Sequence, residues 1–385
     1  MFRPLRVAVS CGKYGTRWAS SAAAKRPRTA LFFPGQGVQR VGMTTDWLEA
    51  FPRTVKPILD EIDEVLQCNL TKIIAEGPNS LLTATENAQP AIMATSIMIL
   101  RVLEQEFGFK TEETVDITLG HSLGEFAALV AGGYLRETDA LKMVRRRAEV
   151  VARVSKEARE THGGEVGMIA LVTEADTRDS LIDAIHEFLG HSSPGAKSDS
   201  NADSDLPPVQ QVLIANINSK NQIVLSGNIE RIKTLLTHLR QFGGHDPRAV
   251  RLNAESPLHS DGPNVIAALA KRARRGCREV SWHHALHQQH ICATFQSREQ
   301  LEDLLARSIL KTVQWHDSII YLHQEEKVKR WIGIGPGKVG RNLVGKEVGM
   351  KGAVKGGGVW GISDPREVEQ VLKALEETER YEEHD

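Results

Sequence analysis

From Thr29 onward the chain switches repeatedly between two hydrophobic rhythms. Thr29-Ala-Leu-Phe-Phe33 is a short apolar run stopped at once by Pro34-Gly-Gln-Gly37, which predicts a buried strand and a tight turn. Apolar residues then recur at helical spacing over 54–66 and 88–106, and the second stretch opens at Gln89-Pro90, where proline suits a first turn. Val115-Asp-Ile-Thr-Leu119 reads as a second strand, Leu123 to Ala131 as a helix leaving it directly, and 137–158 as a longer helix. Strands separated by helices predict a mainly parallel sheet covered on both faces.

The rhythm changes near residue 163. Glu165 to Val172 and Gln222 to Ser226 read as strands, with helical patterns over 176–189 and 229–242. The pattern predicts a smaller α+β insert of about 90 residues, within the usual domain range. Inside it, His191 to Pro208 is rich in Ser, Asp, Pro and Gly, which predicts a solvated, disordered loop over 191–208. The expected organisation is a leader over 1–29, a large α/β domain over 30–158, the insert over 159–252, and the rest of the large domain over 253–375. A late strand falls at Trp331 to Ile334, and an acidic, frayed tail covers 376–385.

Composition alters this picture in three places. The 48 basic side chains nearly cancel 49 acidic ones, which argues against a dedicated nucleic-acid binder. The longest largely apolar stretch, Ala91 to Leu100, ends at Arg101, well short of the roughly 20 residues that cross a bilayer, so no membrane insertion is expected. The leader is the exception to the even charge: Arg3, Arg6, Lys13, Arg17, Lys25, Arg26 and Arg28 precede the first acidic residue, Asp46. A Ser-containing, Arg-rich, acid-free start reads as a mitochondrial transit peptide with the matrix as destination, the alternative being a basic arm for anionic surfaces. Cys68, Cys277 and Cys292 make no paired framework, which fits a reducing compartment.

The sharpest chemical signal is Gly120-His-Ser-Leu-Gly-Glu125 between a predicted strand and a predicted helix. Gly-x-Ser-x-Gly at such a junction forms an elbow that lifts Ser122 into the open and aims the Leu123 N–H where an oxyanion would form. A serine needs a base to become a nucleophile. His259, in Glu255-Ser-Pro-Leu-His-Ser260, is the best candidate, because Pro257 fixes a non-helical approach. His121 adjoins the serine but is expected to point away along the elbow, in a packing or supporting role. Phe33-Pro-Gly-Gln-Gly37 also follows a strand, and with the elbow it predicts a two-donor oxyanion hole from Gln36 and Leu123.

Taken in order, these motifs resemble the malonyl-CoA:acyl carrier protein transacylases, whose fold is shared with the acyltransferase domains of fatty acid and polyketide synthases. The resemblance runs from about Leu31 to Val344. It rests on the two segments above, Gln89-Pro-Ala91, Arg147, Asn216-Ile-Asn-Ser219, Pro257-Leu-His259, Val313-Gln-Trp315 and Gly335-Pro-Gly-Lys338. It implies an α/β-hydrolase-like large domain with a mainly parallel sheet and an inserted ferredoxin-like α+β subdomain. It also implies a ping-pong reaction in which Ser122 takes malonyl from malonyl-CoA, and the pantetheine thiol of acyl carrier protein removes it, with His259 as base and then acid. Arg147 suits that implication, because a guanidinium offers a planar, bidentate and permanent partner for the malonyl carboxylate. Arg145 and Arg146 face other directions at helical spacing and read as a solvated basic face. Gln89, Asn218 and His121 complete the expected substrate-binding set. No cofactor and no metal are expected, and the protein is expected to act as a monomer, feeding mitochondrial fatty acid synthesis.

This sequence departs from the family at Ser308, where members commonly carry a glutamine that orients the histidine, at Glu255 and Leu258, and over Asp261 to Phe295. That stretch holds Cys277, His283, His284, His287, His290 and Cys292, whose spacing matches no closed zinc pattern. Its basic run, Lys271, Arg272, Arg274, Arg275 and Arg278, is either a receiving surface for an acidic carrier protein or a solvated helix face. Gly335-x-Gly-x-x-Gly340 matches a dinucleotide fingerprint but is expected to be a turn packed against the site, with no βαβ unit following it. Two rival functions remain at this point: a serine esterase or thioesterase of the α/β-hydrolase kind, and a catalytically weak relative acting as a scaffold.

Overall fold

The computed structural model describes residues 26–162, 164–190, 211–252, 305, 311–350, 352–354 and 356–379. The expected loop 191–208 lies outside them, as do His259, Ser308, the 261–295 stretch and the leader up to Lys25. No helix among the described residues is long and apolar enough to cross a membrane.

Strand β1 (Arg28–Phe33) is the axis of the larger sheet. It is flanked by β2 (Ile117–Gly120) and β7 (Val328–Ile334), and beyond β7 lie β9 (Gly357–Ile362) and β8 (Gly352–Val354), in the order β2-β1-β7-β9-β8. All neighbours are parallel except the β8–β9 pair. Alternation along β1 sends its side chains to opposite faces. Leu31 and Phe33 join Ile332, Ile334 and Trp360 in one core, while Ala30 and Phe32 join Trp315, Ile319 and Trp331 in another.

The first core is covered by α1 (Thr45–Ala50), α2 (Pro52–Leu66), α3 (Leu70–Glu76), α4 (Asn79–Thr83), α5 (Thr85–Phe107), α6 (Thr111–Thr114), α7 (Gly124–Ala131) and α8 (Glu137–His162). Helix α5 is buried almost all round although Pro90 stands inside it. A proline removes the N–H that would bond the carbonyl four residues earlier. That carbonyl, of Glu86, instead accepts from Arg145 Nη1 at 2.9 Å, and Asn87 Oδ1 accepts from the same nitrogen at 3.0 Å. Arg145 is therefore not part of a solvated face as expected; it closes the gap that Pro90 leaves in a neighbouring helix. Arg146, 39% exposed at its side chain, does face solvent.

The second sheet is antiparallel and ordered β4-β5-β3-β6, from β3 (Val166–Val172), β4 (Val212–Ser219), β5 (Gln222–Asn228) and β6 (Arg248–Arg251). Helices α9 (Arg178–Phe188) and α10 (Ile229–Gln241) pack on one face against Ile169, Leu171, Ile223 and Leu225. Met168, Ala170 and Val224, of opposite parity, line a cleft on the other face. Strand β4 obeys this rule only because its register shifts between Ile214 and Asn216. Such a bulge re-aims the residues beyond it. Val212 and Ile214 thus face the helices while Asn216 and Asn218 face the cleft.

The two sheets are stitched where the Val313 N–H donates to Ala215 O at 2.8 Å and the Ile217 N–H to Val313 O at 2.9 Å. Helices α11 (Trp315–Gln324), α12 (Val339–Glu347) and α13 (Val368–Glu379) complete the large layer. Three expectations change here. Helix α8 runs to His162, four residues past the expected boundary at 158. Helix α13 carries the first residues of the expected frayed tail, with Thr378 buried and its Oγ1 donating to Ala374 O. A βαβ unit does follow the Gly335 motif: β7, α12 and β9, with β9 parallel to β7. Its second strand, Gly-Gly-Val-Trp-Gly-Ile, is too glycine-rich to read as a strand from sequence.

Candidate active site

The elbow forms between β2 and α7. Ser122 adopts φ of +51°, a left-handed conformation uncommon for a residue with a Cβ and a mark of local strain. Two flanking glycines make room for it. A Cβ on Gly120 would lie 2.0 Å from the Gly124 carbonyl carbon, and a Cβ on Gly124 would lie 2.6 Å from Phe33 O. The turn is closed by Gly124 N–H to His121 O at 2.9 Å and Glu125 N–H to Ser122 O at 3.1 Å.

Arg147 is 1% exposed, and its Nη2 donates to Ser122 Oγ at 3.4 Å. Its Nη1 donates to Gln89 Oε1 at 2.5 Å, while its Nε has no partner among the described residues. Gln89, buried on α5, donates in turn from Nε2 to Gln36 Oε1 at 3.1 Å, and Gln36 Nε2 donates to Thr85 Oγ1 at 3.4 Å. One buried side chain thus ties the guanidinium to the turn after β1. Neither the Gln36 nor the Leu123 N–H donates to a backbone carbonyl among the described residues. Gln36 and Ser122 line the same cavity, and Leu123 follows the serine.

Glu125, in the first turn of α7, is 5% exposed and shares this interior with Arg147. Burial pushes its carboxyl up to about 8, against the pull of the Arg147 charge. Burial pushes Arg147 down to about 10, with Glu125 acting the other way, so the guanidinium stays charged at neutral pH. The site therefore presents a neutral acid and a cation, a net positive interior suited to an acyl group that carries a carboxylate.

Ser122 opens on a cavity of about 220 Å³ between the two sheets, with Gln36, Met168, Asn218, Gln222 and Trp315 among its walls. His121 does not point away along the elbow. Its ring lines this cavity, stands edge-on to Trp315 at 5.4 Å, and bonds from Nε2 to Asn218 Oδ1 at 2.8 Å. Burial lowers its pKa, opposed by that hydrogen bond. The reason for the difference is the bulge in β4, which turns Asn218 towards the elbow. Gly340 lines the same cavity, and a Cβ on Gly335 would lie 2.5 Å from Ser96 Oγ, so the Gly335 motif is packed and leaves no phosphate cradle.

Of the expected site residues, Ser122, Leu123, Gln36, Gln89, Arg147, His121 and Asn218 converge here. His259 lies outside the described residues. Sequence reasoning missed Glu125, Thr85 and Gln222. Glu125 reads locally as an acid favoured in a first helical turn, and nothing in the spacing of the other two reports their partners. No group of three His, Cys, Asp or Glu among the described residues could hold a metal ion.

An acyl transferase domain family matches residues 31–187. The malonyl CoA-acyl carrier protein transacylase of Bacillus subtilis (strain 168) is 31% identical over 351 residues, spanning 91% of this chain and 98% of that protein. The crystal structure of an acyl-carrier-protein S-malonyltransferase from Bartonella henselae superposes with a TM-score of 0.71 at 28% identity, covering 91% of this chain and 99% of that one. A malonyl-transacylase solved in complex with its type II polyketide synthase acyl-carrier protein superposes with a TM-score of 0.70 at 26% identity, covering 91% and 99%. Sustained identity over nearly the whole length of the Bacillus protein, together with the serine elbow, makes this chain an acyltransferase that belongs to the malonyl-CoA:acyl carrier protein transacylase family.

Proposed function

We propose that the protein transfers malonyl from malonyl-CoA to the phosphopantetheine thiol of acyl carrier protein through a malonyl-Ser122 intermediate. The observation that carries this reading is the wholly buried Arg147, whose guanidinium reaches Ser122 Oγ at 3.4 Å and whose Nε has no partner among the described residues. A general esterase has no use for a buried cation beside its nucleophile, and burying one without a partner is costly. In the first half-reaction Ser122 Oγ attacks the thioester carbonyl and its proton passes to His259. The Gln36 and Leu123 N–H groups hold the oxyanion, and collapse expels the CoA thiolate, which takes the proton. In the second, the carrier thiol gives its proton to His259 and attacks the malonyl ester, and collapse expels Ser122 Oγ, which takes that proton back from His259. Arg147 holds the far carboxylate throughout, with Gln89, Asn218 and His121 shaping the pocket around it.

The serine elbow on a mainly parallel sheet supports reading the large layer as α/β-hydrolase-like. The order β3-α9-β4-β5-α10-β6, folded as β4-β5-β3-β6, supports reading the insert over 159–252 as ferredoxin-like. The basic leader over 1–29 supports import into the mitochondrial matrix, where a monomer would serve fatty acid synthesis. Intact-protein mass after incubation with malonyl-CoA tests the central claim. One malonyl adduct is expected, removed by holo carrier protein and absent from Ser122→Ala. An adduct that persists in Ser122→Ala, or thioester hydrolysis without any transfer to the carrier thiol, would overturn it.

A further inference from the structure

The cavity wall contributed by the second sheet holds a polar chain that runs from His121 through Asn218 to Gln222, a residue the transfer mechanism leaves unused. Asn218 Oδ1 bonds His121 Nε2 at 2.8 Å, and Asn218 Nδ2 donates to Gln222 Oε1 at 3.1 Å. Because a carbonyl oxygen can only accept, the first contact puts the imidazole proton on Nε2. The second fits that orientation of the Asn218 amide, with Nδ2 turned to the Gln222 side-chain oxygen.

The hairpin tip that carries both side chains is clamped from the large layer. The Lys220 N–H donates to Glu347 Oε1 at 3.0 Å, Lys346 bonds Asn221 Oδ1, and Glu347 Oε2 also pairs with His316 Nδ1. The other side of the imidazole abuts the turn after β1. A Cβ on Gly35 would lie 2.6 Å from His121 Nδ1 and 2.9 Å from His121 O, so the ring and Gly35 are in closest contact. The next residue is Gln36, one of the two oxyanion donors.

We propose that Gln222 is a positioning residue for acyl transfer: through Asn218 it fixes the tautomer and angle of the His121 ring, and the ring holds the Gly35 turn so that the Gln36 N–H faces the developing oxyanion. The inference rests on the acyl-transfer reading above, and it assigns Gln222 a role distinct from contact with substrate. Donors at an oxyanion hole act mainly in the transition state. Loosening one should therefore lower kcat with little effect on KM. Removing such a donor outright costs about 100- to 1000-fold, and displacing it costs a part of that, on the order of tenfold.

Two readouts test this on the full-length protein. In the first, side-chain ¹⁵N NMR of His121, assigned with His121→Gln, is expected to show a neutral ring protonated on Nε2. That signature should be lost in Gln222→Leu, which removes the acceptor at similar volume, and kept in Gln222→Glu, which retains an acceptor at the same reach. In the second, Gln222→Leu should lower kcat for malonyl transfer about tenfold with KM within twofold, and Gln222→Glu should restore kcat while its added charge is read in KM. An unchanged imidazole signal in Gln222→Leu would sink the inference even in a protein that transfers malonyl normally. So would a loss confined to KM, which would make Gln222 a substrate contact, or a kcat that Gln222→Glu fails to restore. If the NMR arm behaves as expected while the wild-type protein takes up no malonyl, it is the acyl-transfer reading that fails and the held ring that stands.

Discussion

Replacing Arg147 by leucine should change which acyl group the enzyme accepts more than whether it works. The guanidinium is 1% exposed and makes one strong bond, to Gln89 at 2.5 Å, and a longer one to Ser122 Oγ at 3.4 Å, which leaves Nε for a third acceptor. A malonyl carboxylate docked here would complete that set beside a buried guanidinium. Removing one member of a buried charge pair costs about 3–5 kcal/mol. At about 1.4 kcal/mol per tenfold, Arg147→Leu should lower kcat/KM for malonyl-CoA by roughly 150- to 4000-fold. Acetyl-CoA brings no carboxylate, so its loading should stay level or rise once no guanidinium is left under-bonded. Arg147→Lys should fall between, since an ammonium keeps the charge but not the planar fork. The assay is transfer to holo carrier protein from each thioester, with adduct mass as a check. An equal loss for both substrates would refute the reasoning and leave Arg147 as a structural support for the elbow.

Two other consequences follow from the same interior. The Glu125 carboxyl, raised to about 8 by burial, keeps its proton in the folded protein after the unfolded chain has lost it, so its contribution to stability declines as pH rises from about 4.5 to about 8. Glu125→Gln should flatten that decline, seen as a gain in thermal stability over wild type that is larger at pH 8 than at pH 5, and should spare malonyl loading the fall expected once a carboxylate beside Arg147 competes with the substrate. A pH profile shared by variant and wild type would count against the neutral acid. Arg145→Leu should expose the cost of Pro90: the Glu86 carbonyl loses the donor at 2.9 Å that replaces the missing N–H, at about 1–3 kcal/mol in urea unfolding. Arg146→Leu, one residue along and facing solvent, should stay within about 0.5 kcal/mol.

The chemistry was legible where it was local. Gly120-His-Ser-Leu-Gly124 carries its own geometry, because the glycines allow a backbone approach that any Cβ would block, whereas helix phase only set Arg145, Arg146 and Arg147 in different directions and the family resemblance singled out Arg147. What stayed hidden depends on contacts far apart in sequence. Strand β4 was missed because its alternation breaks at the bulge by Ala215, so Val-Leu-Ile-Ala-Asn-Ile-Asn-Ser reads as neither a half-buried strand nor a helix. Strand β6, Arg-Ala-Val-Arg, is exposed at every position and shows no periodic burial to detect. Gln222 was visible only as the start of a strand; its bond to Asn218, and through it to His121, exists because a second sheet folds over the elbow.

The placement of these groups also divides the labour between the two sheets. Arg145 and Arg147, two residues apart on α8, grip the same first turns of α5. One stands in for the N–H that Pro90 lacks, and the other anchors Gln89, which reaches Gln36. On the proposed reading, selection of the acyl group sits in the contact between two helices of the large layer. The opposite wall, with Met168, Asn218, Gln222 and Val224, comes from the smaller sheet and holds no buried charge among the described residues. Substitutions in that wall should alter turnover and the fit of the thioester arm in the cleft, while the preference for a carboxylated acyl group should follow α5 and α8. A chimera carrying a relative's smaller sheet on this large layer should keep its malonyl-to-acetyl ratio, because the cation that sets the ratio and the glutamine that holds it both stay with the large layer.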